Sequence, residues 1–248
     1  MSSNYYLIPP QLYDDQFWWK KNDIEFWKSC FDNKHGSILE FAAGTGRLAI
    51  PLIKEGFSYL GIELSQEYVK YANQIHQISS IIQGDMRTIN LTKTFDYLFI
   101  GFNSFAHLLT DNDVKSFLNV VKNHMHDKSC FYIDVFTPHP SFLSHKEQVN
   151  DNIMDFFDSS LKANVVVQES LIYNQDTGII NVNWNYLQSN NVVGQTFDFK
   201  MKVYYSDTIM RLLEESGFCV QNVWGGYDGL PLNEDSDLQI YQCTIPRV

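Results

Sequence analysis

The sequence predicts an α/β fold: a doubly wound, mostly parallel sheet that carries an antiparallel β insertion. Two observations carry this expectation. Between Ile38 and Phe136, short apolar runs alternate with segments of helical period, the pattern of parallel strands joined by crossover helices. After Pro140 the period drops to two, which marks antiparallel strands with one wet face. The chain divides accordingly into 1–36 (an N-terminal aromatic lid and helix), 37–138 (a ligand-binding core), 139–205 (the insertion) and 206–248 (the last part of the core sheet).

Taken in order, residues 22–35 read as a helix with Ile24, Phe26, Trp27 and Phe31 on its apolar face. Ile38–Ala43 is the first strand, and Arg47–Glu55 a helix closed by Gly56. Pro51 is tolerable there if the helix starts late. Tyr59–Glu63 is a strand, and Ser65 caps a helix burying Tyr68, Val69, Ala72 and Ile75. Ser80–Gln83 and Phe95–Phe102 are further strands. Thr110 opens a helix with Val114, Phe117, Leu118, Val121 and Met125 at helical spacing. Cys130–Phe136 is the fifth strand, stopped by Pro138 and Pro140.

The meander comprises Val165–Ile172, Ile179–Leu187 and Phe197–Tyr205. Ile180, Val182, Trp184 and Tyr186 share one face, opposite Asn181, Asn183 and Asn185. Phe197, Phe199, Met201, Val203 and Tyr205 repeat the pattern, with turns at 174–178 and 189–191. A helix at Asp207–Glu215 and a strand pair, Cys219–Val223 with Leu238–Thr244, complete the core.

The chemistry concentrates between Ile38 and Glu63. A strand that empties into Gly44-Thr45-Gly46-Arg47 and restarts as a helix lets backbone N–H groups approach a ligand closely. Gly44-Thr45-Gly46-Arg47-Leu48-Ala49 fits the dinucleotide fingerprint, with Glu63 placed for a ribose diol. Glu40, however, lies where a dinucleotide puts its pyrophosphate, and an anion facing an anion in a partly dry pocket is unfavourable. S-adenosylmethionine (SAM) offers a sulfonium and an amino group instead, so acid, glycine turn and acid together favour SAM over a dinucleotide.

These residues resemble the class I SAM-dependent methyltransferases. Glu40-Phe41-Ala42-Ala43-Gly44-Thr45-Gly46 is similar to their first motif, Gly61-Ile62-Glu63-Leu64-Ser65 to the second, Gln83-Gly84-Asp85-Met86-Arg87 to the third and Phe95–Ser104 to the fourth. The resemblance implies a Rossmann-like methyltransferase sheet and SAM as cofactor, leaving as S-adenosylhomocysteine (SAH). It places Glu40, Ala42, Gly44, Thr45, Gly46, Arg47, Glu63, Leu64, Asp85, Met86, Arg87, Phe102 and Asn103 around the cofactor. Asp85 would accept the adenine amino group and Met86 would offer its N–H to the ring.

Ser104-Phe105-Ala106-His107-Leu108 resembles the Ser-x-x-x-His-Leu of nucleotide-sugar amine N,N-dimethyltransferases, one residue shorter, and Tyr13-Asp14 resembles their N-terminal Tyr-Asp. They and the glycine N-methyltransferases carry extra strands after the fifth core strand. Gly225-Gly226-Tyr227-Asp228-Gly229 with Pro231 resembles the tail of other small-molecule methyltransferases.

Methyl transfer needs a protein base only where the nucleophile arrives protonated. His107 follows the fourth strand and is the candidate base, since an imidazole of ordinary pKa, about 6.5, accepts a proton near neutral pH. Tyr13 is its candidate catalytic partner. Trp18 and Trp19 join Tyr13 and His107 as candidate acceptor contacts, because aromatic walls suit a sulfonium or an alkylated amine. The expected activity is in-line methyl transfer to a small molecule, more readily at an amine nitrogen than at oxygen. An O-methyltransferase, or a SAM-binding interaction module without catalysis, is the alternative. The insertion is expected over the acceptor site or in a homodimer contact.

A net charge of −11 argues against nucleic acid or an anionic membrane as partner. Cys30, Cys130, Cys219 and Cys243 are too scattered for a C-x-x-C pair, and Cys130 and Cys219 read as buried. His124-Met125-His126 reads as surface histidines at a helix end, and no spacing supports a metal. Residues 1–6 lack the blocks of a signal peptide, no apolar run reaches spanning length, and a reduced cytoplasmic setting is expected.

Overall fold

The computed structural model describes residues 8–138, 147–189, 191–194 and 196–246. It divides into two compact units, the described residues of Asn22–Thr137 with Tyr204–Val248, and those of Met1–Lys21 with Pro138–Val203. Pro140, residues 1–6 and Asn190 of the expected second turn lie outside the described residues.

In the first unit, a seven-stranded sheet is laid out between helices. Its parallel strands are β1 (Ser37–Phe41), β2 (Ser58–Glu63), β3 (Ile81–Gln83), β4 (Phe95–Ile100) and β5 (Met125–Phe136). The antiparallel pair β11 (Cys219–Trp224) and β12 (Leu238–Thr244) extends it along β5, in the order β11-β12-β5-β4-β1-β2-β3. The sheet is mostly parallel, as expected. β1 is central and every residue from Ile38 to Phe41 is buried, which is why it reads as a continuous apolar run broken only by Glu40. β2 and β3 lie on one side of β1 and β4 and β5 on the other. The carboxyl ends of β1 and β4 are therefore the switch point where such sheets take ligands.

The connecting helices follow their local signals. α2 (Asn22–Cys30) buries Phe26 and Trp27, and Trp27 packs against Phe99 with ring centroids 4.9 Å apart. α3 (Ala49–Lys54) starts late, so Pro51 falls in its first turn, where no N–H partner is lost. The Ser65 hydroxyl accepts from Tyr68 N–H to open α4 (Gln66–Ile75), and Thr110 does the same from Asp113 N–H for α5 (Asp111–Asn123). α6 (Ser206–Glu215) follows Tyr205.

Four expectations fail here. Ile75 ends α4 at 58% exposure, because the last turn extends past the core. Met125 is not the last apolar residue of α5 but the first of β5. His124 is buried rather than superficial: its Nε2 accepts Leu91 N–H at 2.7 Å and its Nδ1 meets the Val120 carbonyl at 2.7 Å. Cys219 is exposed and Cys130 half-buried, while Cys243 is the fully buried cysteine.

In the second unit, α1 (Pro10–Gln16) accompanies a five-stranded antiparallel sheet. Its strands are β6 (Glu147–Asp158), β7 (Ala163–Asn174), β8 (Ile179–Gln188), β9 (Asn191–Val192) and β10 (Phe197–Lys202), in the order β10-β8-β7-β6 with β9 beside β8. Ile180, Val182, Trp184 and Tyr186 are all buried, with Phe197 and Phe199 stacked edge-on against Tyr186 and Trp184. Tyr186 Oη donates to Gln16 Oε1 at 2.7 Å and ties α1 to β8. Sequence reasoning missed β6, whose polar run Glu147–Ile153 holds no buried side chain and whose pairing with β7 is bulged twice. Tyr205 is exposed, since the chain leaves the sheet at Lys202 to enter α6.

Gly44 and Gly46 occupy left-handed backbone, at φ +59° and +89°. A Cβ on Gly44 would meet nothing within 4 Å, whereas one on Gly46 would sit 2.6 Å from Ile78 Cδ1 and 2.9 Å from Ile81 Cδ1. Gly44→Ala is therefore expected to cost about 1–2 kcal/mol from backbone strain alone. Gly46→Ala should cost more, because two buried isoleucines must also shift. Urea unfolding of the two variants checks the order, and equal losses would refute it.

Candidate functional site

The register of the sheet brings the motif ends together. Phe41 pairs with Ile62 on one side and Ile100 on the other, so Ala42, Glu63 and Gly101 leave the sheet as neighbours. Gly84 follows directly, its N–H bound to the Glu63 carbonyl at 2.9 Å. The residues around these strand ends adopt left-handed backbone at Ala42, Gly44, Gly46, Phe102 and Asn103. Such turns free N–H groups from the ladder, and each needs an acceptor.

Glu63 supplies one set of acceptors. One carboxylate oxygen takes Gly44 N–H at 2.9 Å and the other takes Ser65 N–H at 2.7 Å. The group is buried, and burial raises its pKa while these N–H donors lower it. Glu40 is buried on β1 and accepts the Tyr59 hydroxyl. Burial pushes its pKa up to about 8, against the opposing pull of Tyr59 and Arg47. Sequence reasoning treated Glu40 as a fixed negative charge. Near neutral pH it holds a proton until a cation is brought to it.

Arg47 faces a buried partner. Its Nη1 and Nη2 donate to Asp23 of α2 at 2.9 and 2.7 Å, and its guanidinium lies 5.2 Å from the centroid of Phe102. Asp85 accepts three bonds from Arg87, from the backbone N–H at 2.9 Å, Nε at 3.0 Å and Nη2 at 2.7 Å. The bond from Arg87 lowers the Asp85 pKa, and Arg87 also reaches Asp113 at 2.7 Å. Asp85 and Arg87 are thus committed mainly to each other. Thr45 is buried, Leu64 is exposed and Met86 half-buried.

At the end of β4, Phe102 and Asn103 donate their N–H groups to the two oxygens of Asp134, at 3.2 and 3.4 Å. The Asn103 Oδ1 accepts Phe136 N–H at 3.2 Å. A 3₁₀ turn, Ser104–His107, follows; Phe105 and Ala106 are buried beneath it and His107 is half-buried. Tyr13, Trp18 and Trp19 belong to the other unit. Tyr13 lies on α1 with its ring 4.8 Å from Phe17, and Trp18 and Trp19 are exposed.

Sequence reasoning missed Asp23, Asp134 and Tyr227 as contributors. Asp134 carries a legible signal, a lone acid inside the apolar run Phe131–Phe136. Asp23 gives none, since an acid in the first turn of a helix is ordinarily solvated. Among the described residues no group of His, Cys, Asp or Glu could hold a metal, and no helix is long and apolar enough to cross a membrane.

Residues 38–128 match the family model described as a methyltransferase domain. A Bacillus subtilis protein, YqeM, whose description as a methyltransferase is provisional, is 39% identical over 97 residues. That match spans 35% of this chain and 38% of YqeM, so the chain aligns with well under half of this curated relative's length. The fold is shared far more widely. A solved S-adenosylmethionine-dependent methyltransferase from Clostridium acetobutylicum superposes with a TM-score of 0.77 at 16% identity, over 95% of this chain and 97% of that one. The sugar N-methyltransferase KedS8 from a Streptoalloteichus species gives 0.67 at 15% identity, over 92% and 89%. Residues 38–128 are therefore similar to a methyltransferase domain, within a chain that shares its fold with solved SAM-dependent methyltransferases.

Proposed function

We propose that the protein is a SAM-dependent methyltransferase that acts on a small molecule at an amine nitrogen. The observation that carries the cofactor is the buried carboxylate of Glu63 fastened to the glycine turn at Gly44. Each of its oxygens keeps a lone pair beyond the N–H it accepts, enough to receive a ribose diol. The space beside Gly44 is open, and Glu40 is a buried acid that a cationic amino group would ionise. These features fit SAM. Asp85 and Met86 would flank its adenine, and Phe102 and Asn103 would border it at the end of β4.

When bound, SAM supplies a methyl group already activated on a sulfonium. The protein's share is then to align the acceptor, exclude water and receive a proton. His107 would take that proton from an ammonium acceptor. The preference for nitrogen is supported by this imidazole and by the likeness to a sugar N-methyltransferase. The acceptor contacts proposed for Tyr13, Trp18 and Trp19, and a covering role for 139–205, rest on sequence.

Calorimetry with SAH and NAD tests the cofactor. SAH is expected to bind and NAD is not, and the reverse result overturns the proposal. Glu63→Ala should weaken SAH by about 1.5–3 kcal/mol, and should lower ligand-free stability by removing the acceptor of two part-buried N–H groups. A lower melting temperature with an unchanged SAH-induced shift would make Glu63 purely structural.

Glu40 gives a pH dependence. A bound cation favours its ionised form, so below about 8 binding must first expel a proton. SAH affinity is expected to rise as pH climbs toward that value, and Glu40→Gln should flatten the profile at lower affinity. A parental profile that is already flat removes Glu40 from the amino-group site.

His107→Ala should lower kcat about 10²-fold with SAM affinity nearly intact, and higher pH should partly rescue it. Tyr13→Phe should be milder, since it removes one hydroxyl and leaves the ring. The check is kcat against pH with a competent amine. Parental kcat in His107→Ala throughout would leave alignment and desolvation as the whole mechanism.

A further inference from the structure

Asp134 stands near the end of β5 and is 1% exposed. Its acceptors are filled by the N–H groups of Phe102 and Asn103 and by the hydroxyl of Tyr227. Phe102 and Asn103 are both left-handed, at φ +51° and +60°, a conformation that an asparagine adopts readily but a bulky phenylalanine holds only when its surroundings impose it. The Asp134 carboxylate supplies that imposition by giving the two freed N–H groups one shared acceptor.

Tyr227 comes from the loop between β11 and β12, and that loop is fixed at its base. Gly225 N–H donates to the Leu230 carbonyl at 2.8 Å, its own carbonyl accepts Leu238 N–H at 3.1 Å, and Trp224 bridges to Pro231. The Tyr227 ring packs edge-on against Phe26 at 5.6 Å and borders a cavity of about 310 Å³ lined also by Trp224, Tyr132 and Gln242. The phenol is thus held by its ring and aimed by its loop. Burial beside the Asp134 carboxylate raises its pKa, so it stays a donor.

We propose that Asp134 and Tyr227 are positioning residues for the cofactor-binding turn at Phe102–Asn103, joining the C-terminal loop to the end of β4. The proposal rests on the SAM reading above for its functional consequence, but the clamp itself is independent of that reading. Asp134 holds the turn in its left-handed shape, and Tyr227 holds Asp134 in the rotamer that reaches both N–H groups. Neither residue needs to touch the reacting atoms. The 3₁₀ turn that carries His107 begins at the next residue, so its origin is set by the same clamp.

The test pairs amide hydrogen exchange with SAH calorimetry on the full chain. Tyr227→Phe keeps the ring contacts and removes only the hydroxyl. It is expected to speed exchange at Phe102 and Asn103 about tenfold, leave the amides of β1 unchanged, and weaken SAH about tenfold. Asp134→Asn should do the same at least as strongly. The double variant should be no worse than Asp134→Asn alone, because Tyr227 acts through Asp134. Parental exchange at both amides in both variants overturns the clamp, as does faster exchange spread evenly over the core. Local acceleration with parental SAH affinity overturns the positioning role. Failure of the parent protein to bind SAH counts against the cofactor reading, and the exchange result still decides the clamp.

Discussion

The constraint on which this structure depends is the satisfaction of backbone N–H groups where β1 and β4 leave the sheet. Parallel strands end abruptly there, and the chain must turn through left-handed residues to begin the following segment. Every such turn strips an amide of its ladder partner and leaves it in need of another acceptor. Two buried acids answer that need, Glu63 for the turn after β1 and Asp134 for the turn after β4. The N–H and O–H donors around them stabilise their charged forms.

Around this pair a second layer of commitments is visible. Arg47, the first cation after the glycine turn, is clamped in bidentate fashion by the fully buried Asp23. Helix α2 is thereby fixed to the turn by charge as well as by the packing of Trp27. Removing either member would strand the other in an apolar setting, which is far worse than losing a surface pair. Arg87 performs a comparable task between Asp85 and Asp113, though these are more exposed and the bonds correspondingly weaker in effect.

The sheet was legible because its signals are local. An apolar run ending in glycine, an acid at the end of β2 and hydroxyl caps at Ser65 and Thr110 each specify their own element without help from afar. Glu40 and Glu63 were legible as acids at the glycine turn and the end of β2 for the same reason. Their charge states were not, since burial is a property of the assembled core. Asp23 and Tyr227 escaped because their partners, Arg47 and Asp134, are brought near only by folding. His124 was misplaced on the same account: a histidine at a helix end looks solvated until Leu91 is folded over it. β6 escaped because an edge strand with polar side chains on most positions has no period to read.

The pairing of β12 with β5 carries a consequence for how the chain is made. Phe136 finds its partner at Leu238, beyond the strands β6 to β10 in the sequence. During synthesis β5 emerges early, with one edge taken by β4 and the other bare and apolar. That edge stays open until β12 leaves the ribosome, after the long intervening segment has been made. The core sheet is thus completed by a closure of high contact order, and its exposed margin is a template for wrong pairing in the meantime. Placing the meander inside the core sequence, rather than after it, makes the newborn chain dependent on whatever shields β5 during translation.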